Sequence, residues 1–155
     1  MPNLLFQFAA AFAVGQGLRD GRLRSVLYAG VCLPEILHQG FLLLAGTSAW
    51  FCLPLHSPLG MVPWCYLGAL LFEAGWRPRA FGALLAGSWI HLLVEGIHDS
   101  WGEGGVLWAF PVTLARFGGR ILRDDPSWRA TLGAAALIAG LSVASRLGKH
   151  PRGSR

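Results

Sequence analysis

The chain has 155 residues, of which 54% are apolar and only 14% charged, with a mean hydropathy of +0.48. An average soluble chain carries about a quarter charged residues, so this composition excludes both an ordinary water-soluble domain and intrinsic disorder and points to a membrane protein. The net charge is +5 and the pI near 9.9, but the basic residues fall in short clusters between apolar runs rather than along one stripe, which argues against nucleic acid as a partner and reads instead as a topology signal.

The length suits a single transmembrane domain over residues 1–155 and no second domain. Apolar segments fall at residues 4–14, 26–33, 41–55, 59–72, 80–97, 106–117 and 130–147. A full helical crossing needs about 20 residues, and only 80–97 and 130–147 approach that length. The others are expected to be tilted, broken or re-entrant, which a bilayer tolerates where irregular backbone is buried in protein or lines a cavity. Prolines at 34, 54, 58, 63 and 111 mark expected stops or bends. The predicted fold class is therefore all-α: a multi-pass integral membrane helical bundle with short, broken or re-entrant segments. Its core block covers about residues 25–115, its final membrane helix about 128–147 and its basic tail 148–155.

The N-terminal run MPNLLFQFAAAFAVG lacks the positive n-region of a secretory signal and is expected to be retained as a membrane-embedded or interfacial helix. Positive charge gathers at Arg19, Arg22 and Arg24, at Arg77 and Arg79, and in the tail at Arg146, Lys149, Arg152 and Arg155; the positive-inside rule assigns these to the cytoplasmic side. On that assignment the segment from Ala80 leaves the cytoplasm and the last helix returns, so residues 106–117, with Pro111 among them, should not cross. The seven tryptophans mostly lie near segment ends, as interfacial anchors do. The last helix, rich in Ala and Gly, either anchors the chain or offers a small-residue face over 130–147 to a protein partner. Cys32, Cys52 and Cys65 are an odd count without metal-type spacing, each in an apolar stretch where a thiol acts as a small hydrophobe.

Ionisable groups inside apolar segments are expensive and are functional candidates by default. Three groups stand out. LPEILHQG places Glu35 and His38 three residues apart. PLHSPLG places His56 and Ser57 between Pro54 and Pro58. GSWIHLLVEGIHDSWGE places Ser88, His91, Glu95 and His98 at spacings of three, four and three, which on a helix make one polar stripe on an apolar cylinder. Imidazole nitrogens and carboxylate oxygens are borderline ligands suited to zinc, manganese or iron, and a His and a Glu at i and i+4 can grip one ion. A metal there would lower the pKa of a bound water towards neutrality and make a nucleophile. The alternative is that these side chains hydrogen-bond only to one another, to backbone or to water at a helix end. Ser57 beside His56 is not a triad, since neighbouring side chains point apart, and the chain has no GxSxG elbow, HExxH motif, phosphate-cradling glycine loop or dinucleotide fingerprint.

These three blocks resemble the membrane-bound metal-dependent hydrolases, small bacterial integral-membrane proteins that include the LexA-regulated one. LPEILHQG is similar to that family's leucine-proline-aspartate block, with Glu35 in the aspartate place. PLHSPLG is similar to its histidine-serine block at His56 and Ser57. HLLVEGIHDSWGEGGVLWAFPV resembles its His-x-x-x-Asp helix, glycine-bearing loop and aromatic segment, with His91, Glu95, Gly104, Gly105, Phe110 and Pro111 in place. Both aspartate places hold glutamates here, and the chain offers Gln7 where many members have an N-terminal histidine. The resemblance covers about residues 25–115. It implies a divalent metal, zinc being expected, held by Glu35, His38, His56, His91 and Glu95 near one face of the bilayer. His98 and Asp99 would orient the ligands or act as general base. The implied chemistry is hydrolysis of an ester or phosphoester in a membrane lipid or another membrane-associated substrate of the bacterial inner membrane. The competing expectations are a non-catalytic accessory or scaffold subunit of a larger membrane complex, and a small transporter with a proton relay through His91, Glu95 and His98.

Overall fold

A computed structural model describes residues 4–45, 54–97 and 106–115, together with residues 133, 136–138 and 140–142. Among the described residues the structure is all-α apart from an isolated bridge at Val106, with four helices in chain order: α1 (Leu4–Gly15), α2 (Gly21–Ala45), α3 (Met61–Ala69) and α4 (Arg77–Ile97). The expected final helix at 128–147 and the basic tail lie largely outside the described residues; 133, 136–138 and 140–142 are helical.

Local chemistry sets where the helices begin and end. α1 stops at Gly15, and residues 16–18 close short turns back onto Phe12, Ala13, Val14 and Gly15. Asp20 caps α2: its Oδ1 accepts from the backbone N–H of Arg22 at 2.8 Å and of Leu23 at 3.4 Å, satisfying donors that a helix start leaves without partners. α3 is shorter than the apolar run 59–72. Gly60 precedes it, and beyond Ala69 the chain tightens into i→i−3 bonds at Leu70, Leu71 and Phe72. Residues 106–115 form turns and no helix, with a cis peptide bond between Phe110 and Pro111.

Pro34 does not end its helix. Pro34 marks an expected stop or bend; the stop does not occur, and α2 continues through it to Ala45. Proline lacks an N–H, so the carbonyl four residues earlier, that of Gly30, loses its helical donor. Ser88 of α4 supplies the replacement, its Oγ donating to Gly30 O at 3.0 Å. One turn further along α4, His91 Nδ1 lies 2.9 Å from Val31 O. The helix therefore survives its proline because the neighbouring helix services the carbonyls beside it.

That service requires close approach. α2 packs most extensively against α4, and the crossing is made by two glycines. A Cβ on Gly30 would collide with the Leu84 backbone, and a Cβ on Gly87 with the carbonyl of Leu27 and the backbone of Gly30 and Val31. The contacts advance together along both helices: Arg22 meets Trp76 just before α4, Gly30 meets Ser88, and Val31 meets His91. α2 and α4 therefore run parallel. α3 returns between them, with Cys65 beside Ser88 and Gly68 against Leu84. The core lies among these three helices around Val26, Leu55, Met61, Cys65, Ala80, Leu84, Leu92 and Val106. α1 leans on α2 and α4, its Phe12 ring stacked on Tyr28 with centroids 6.5 Å apart.

Two helices, Gly21–Leu44 and Arg77–Ile97, are long and apolar enough to cross a membrane. At 1.5 Å per residue, α4 is roughly 31 Å long, close to the thickness of a hydrocarbon core. Cys32 and Cys65 are free thiols.

Gly87→Val is expected to lower stability by at least ~2 kcal/mol, because the clash is with backbone that cannot rotate away. Ser88→Ala should cost ~1–3 kcal/mol by leaving the Gly30 carbonyl buried without a donor. Thermal unfolding of the detergent-solubilised variants measures both, and a Gly87→Val chain as stable as the parent would refute the packing argument.

Candidate functional site

Three segments bring ionisable groups to one place: the middle of α2, the turn 54–60 and the last turns of α4. His91 is buried, its side chain 3% exposed. A carbonyl oxygen can only accept, so the bond to Val31 O fixes the proton on Nδ1 and leaves Nε2 of the neutral ring as a lone pair. That Nε2 lies 3.7 Å from Glu95 Oε2, one helical turn along. The other carboxylate oxygen, Oε1, lies 3.6 Å from His56 Nε2. Glu95 thus stands between two imidazoles from different segments.

His56 is delivered by a turn that Ser57 builds. The Ser57 hydroxyl donates to Pro54 O at 2.7 Å and accepts from Gly60 N–H at 2.9 Å. The His56 carbonyl accepts from Leu107 N–H at 2.8 Å, which ties the turn to the buried Val106–Leu107 pair. Ser57 itself is buried and its role is architectural. From α2, His38 sets its ring edge-on to His56 with centroids 5.1 Å apart. Glu35 and Glu95 lie within electrostatic reach of His38, and Glu35 within reach of His91. Gln39 donates from Nε2 to Glu35 Oε1 at 2.8 Å.

All five residues expected as ligands, Glu35, His38, His56, His91 and Glu95, therefore belong to one neighbourhood. His98 and Asp99 lie outside the described residues. Ser88, on the same stripe as His91 and Glu95, does not join them; it serves Gly30 and contacts Cys65 Sγ at 3.6 Å. Sequence reasoning missed the Val31 carbonyl, a main-chain acceptor with no signature in a side-chain pattern, and Gln39, whose spacing of four from Glu35 did carry a helical-pair signal.

The donor set fits a divalent cation in kind. Two imidazoles and a carboxylate are standard ligands for zinc, and the Nδ1–H bond to a backbone carbonyl is how a metal-binding histidine is usually oriented. Two ligands at about 2.0–2.1 Å from a tetrahedral ion stand roughly 3.3 Å apart, a little less than the 3.6 and 3.7 Å separations here. These separations exceed direct hydrogen-bond length. Among the described residues no group of three His, Cys, Asp or Glu side chains converges closely enough to hold an ion as placed. The groups form a run, His91 to Glu95 to His56 to His38, rather than a closed shell.

The neighbourhood is graded in exposure, from His91 at 3% through Glu95 at 18% to His56 at 25%, so access is from the His56 side. Measured along the helices, His91 and Glu95 lie roughly 21 and 27 Å beyond Arg77, and Glu35 roughly 21 Å beyond Gly21. The site thus lies well along α2 and α4 from the arginines at the starts of those two helices. No protein-family model, curated protein or solved structure matches this chain.

The tautomer is directly testable. In ¹⁵N-labelled protein near neutral pH, His91 is expected to carry its proton on Nδ1. An Nε2–H tautomer would break the link between the helix crossing and the site.

Proposed function

We propose that the chain is a multi-pass inner-membrane protein that hydrolyses an ester or phosphoester of a membrane-associated substrate with the help of a divalent metal, zinc being the expected ion. The observation that carries this reading is the His91–Glu95–His56 run, drawn from separate segments, with His91 locked so that its Nε2 lone pair faces the carboxylate. The likeness of LPEILHQG, PLHSPLG and the His91 block to membrane-bound metal-dependent hydrolases supports the same chemistry.

The membrane part of the reading draws support from exposure. Only 28% of the α2 span and 50% of the α4 span is buried within the protein, and Leu43, Leu44 and Leu71 are almost fully exposed. Lipid chains would cover these exposed apolar side chains. With Arg22, Arg24, Arg77 and Arg79 on the cytoplasmic side, the His56 opening faces the outer side of that membrane.

His56, His91 and Glu95 would hold the ion, with small side-chain adjustments drawing the three donors onto one point. When bound, the ion supplies a water acidified towards neutrality. Val31 keeps His91 in the ligating tautomer. Glu95, gripped from both sides, supplies the negative charge that balances the cation. His38, edge-on to His56 and close to Glu35, would accept the proton released from that water, while Gln39 holds the Glu35 carboxylate in place. Leu107, by bonding the His56 carbonyl, ties the turn that carries His56 to the 106–115 segment.

A non-catalytic accessory subunit is the competing reading, and the open spacing of the donors favours it. Metal content separates the two. Protein purified in detergent without chelators is expected to hold about one equivalent of zinc or manganese, largely lost in His91→Ala and Glu95→Gln with folding retained. No metal after zinc addition, or unchanged metal in both variants, would overturn the hydrolase reading in favour of the subunit.

A further inference from the structure

The basic end of the molecule holds a second constellation. Arg22, in the first turn of α2, lies with its guanidinium carbon 4.4 Å from the centroid of Trp76 and 5.9 Å from that of Phe72. Arg77, in the first turn of α4, donates from Nε to the Phe72 carbonyl at 3.0 Å. Phe72 and Trp76 pack on each other with centroids 5.3 Å apart, so two aromatic rings form a shelf flanked by two guanidinium groups. Each arginine is exposed, and the bond to Phe72 engages only one of the five N–H donors of Arg77.

The charge around this shelf is one-sided. Arg19, Arg22, Arg24, Arg77 and Arg79 face only Asp20 and Glu73 as carboxylates in the adjoining segments. The Asp20 carboxylate is engaged in capping α2. Among the described residues, the carboxylate ion pairs belong to histidines, and none joins an arginine. Arg24 Nε is buried without a hydrogen-bond partner. Neither α2 nor α4 has an acidic residue in its first turn, although the positive ends of both helix dipoles lie here and arginines in that position are unfavourable by themselves. An anion at the shelf would offset the gathered positive charge and the positive ends of both helix dipoles.

The surroundings select the kind of anion. Tyr66, Leu67, Leu70 and Leu71, on α3 and just beyond it, are exposed and run up to Phe72. A ligand on the shelf therefore has a charged group beside the arginines and an apolar surface immediately next to it. We propose that Arg22 and Arg77 bind the phosphate of an anionic phospholipid, whose acyl chains lie along the α3 surface. Guanidinium groups match phosphate oxygens in bidentate geometry, and the aromatic shelf sits at headgroup level as interfacial tryptophans do. A zwitterionic headgroup fits less well, because its own cation meets the five arginines. This site rests on the chain crossing a membrane and is independent of the hydrolytic reading.

The test is lipid binding by native mass spectrometry and thermal shift of the detergent-purified full chain, titrated with phosphatidylglycerol, phosphatidylcholine or inorganic phosphate. Phosphatidylglycerol is expected to bind about tenfold more tightly than phosphatidylcholine, because both offer the same phosphate but only the choline headgroup brings a cation against the arginines, and inorganic phosphate to have no effect. Arg22→Gln and Arg77→Gln should each remove the preference, whereas Arg79→Gln, with the same change in net charge, should retain it. Arg77 makes a single exposed bond, so its variant reads binding even if loss of the Arg22 stacking impairs folding. Equal binding of the two lipids, retention of the preference in Arg77→Gln, or a free-phosphate effect equal to that of the lipid would overturn the proposal. A chain that remains soluble without detergent would overturn it together with the membrane reading.

Discussion

The exchange of hydrogen bonds across the α2–α4 crossing is the constraint on which the rest of this structure depends. A proline inside a helix costs about 3 kcal/mol, and in apolar surroundings an orphaned carbonyl adds to that cost. Ser88 and His91, three residues apart on α4, reach the carbonyls of Gly30 and Val31 because Gly30 and Gly87 let the two backbones touch. The same four residues that rescue Pro34 thus set the separation and register of the two longest described helices. Register then decides what lies above and below the crossing.

Above it, His91 reaches the site already committed to one tautomer. Its orientation follows from packing rather than from any interaction with the groups it faces. Glu95 and His56 are arranged around that fixed ring, His56 by a turn that Ser57 knots and Leu107 anchors. The backbone bond thus fixes the ring of His91, while the groups around it keep an open spacing.

Below the crossing, parallel α2 and α4 bring two arginine-bearing helix starts to the same end, and α3 returns the chain to place Phe72 and Trp76 between them. Helix direction therefore accounts for the polarity of the described molecule. Like charges and like dipole ends gather at one pole, and the carboxylate–imidazole run lies roughly 20 Å or more further along the helices. Antiparallel neighbours would have mixed the two. The cost of gathering the arginines is moderated by cation–π stacking of Arg22 on Trp76 and by the Asp20 cap.

Much of this was legible in the sequence. The long apolar runs read as helices without a strand-like alternation, and two of the described helices are long and apolar enough to cross a membrane. The spacing of His91 and Glu95 placed both on one face of α4, since i and i+4 are neighbours on any helix. Glu35 and His38 were legible as a pair for the same reason. The fate of Pro34 was not: local rules end or bend a helix at proline, and only a partner helix carrying Ser88 and His91 at the right height overrides them. Nor did the sequence reveal that His56, 35 residues before His91, would stand against Glu95, because that contact depends on the path of α3 and on the turn Ser57 closes. Periodicity along one helix is a local property and survives in a string of letters. The meeting of α2, the 54–60 turn and α4 is fixed by backbone approach at two glycines and by hydrogen bonds across 58 and 60 residues of chain, which only the folded chain decides.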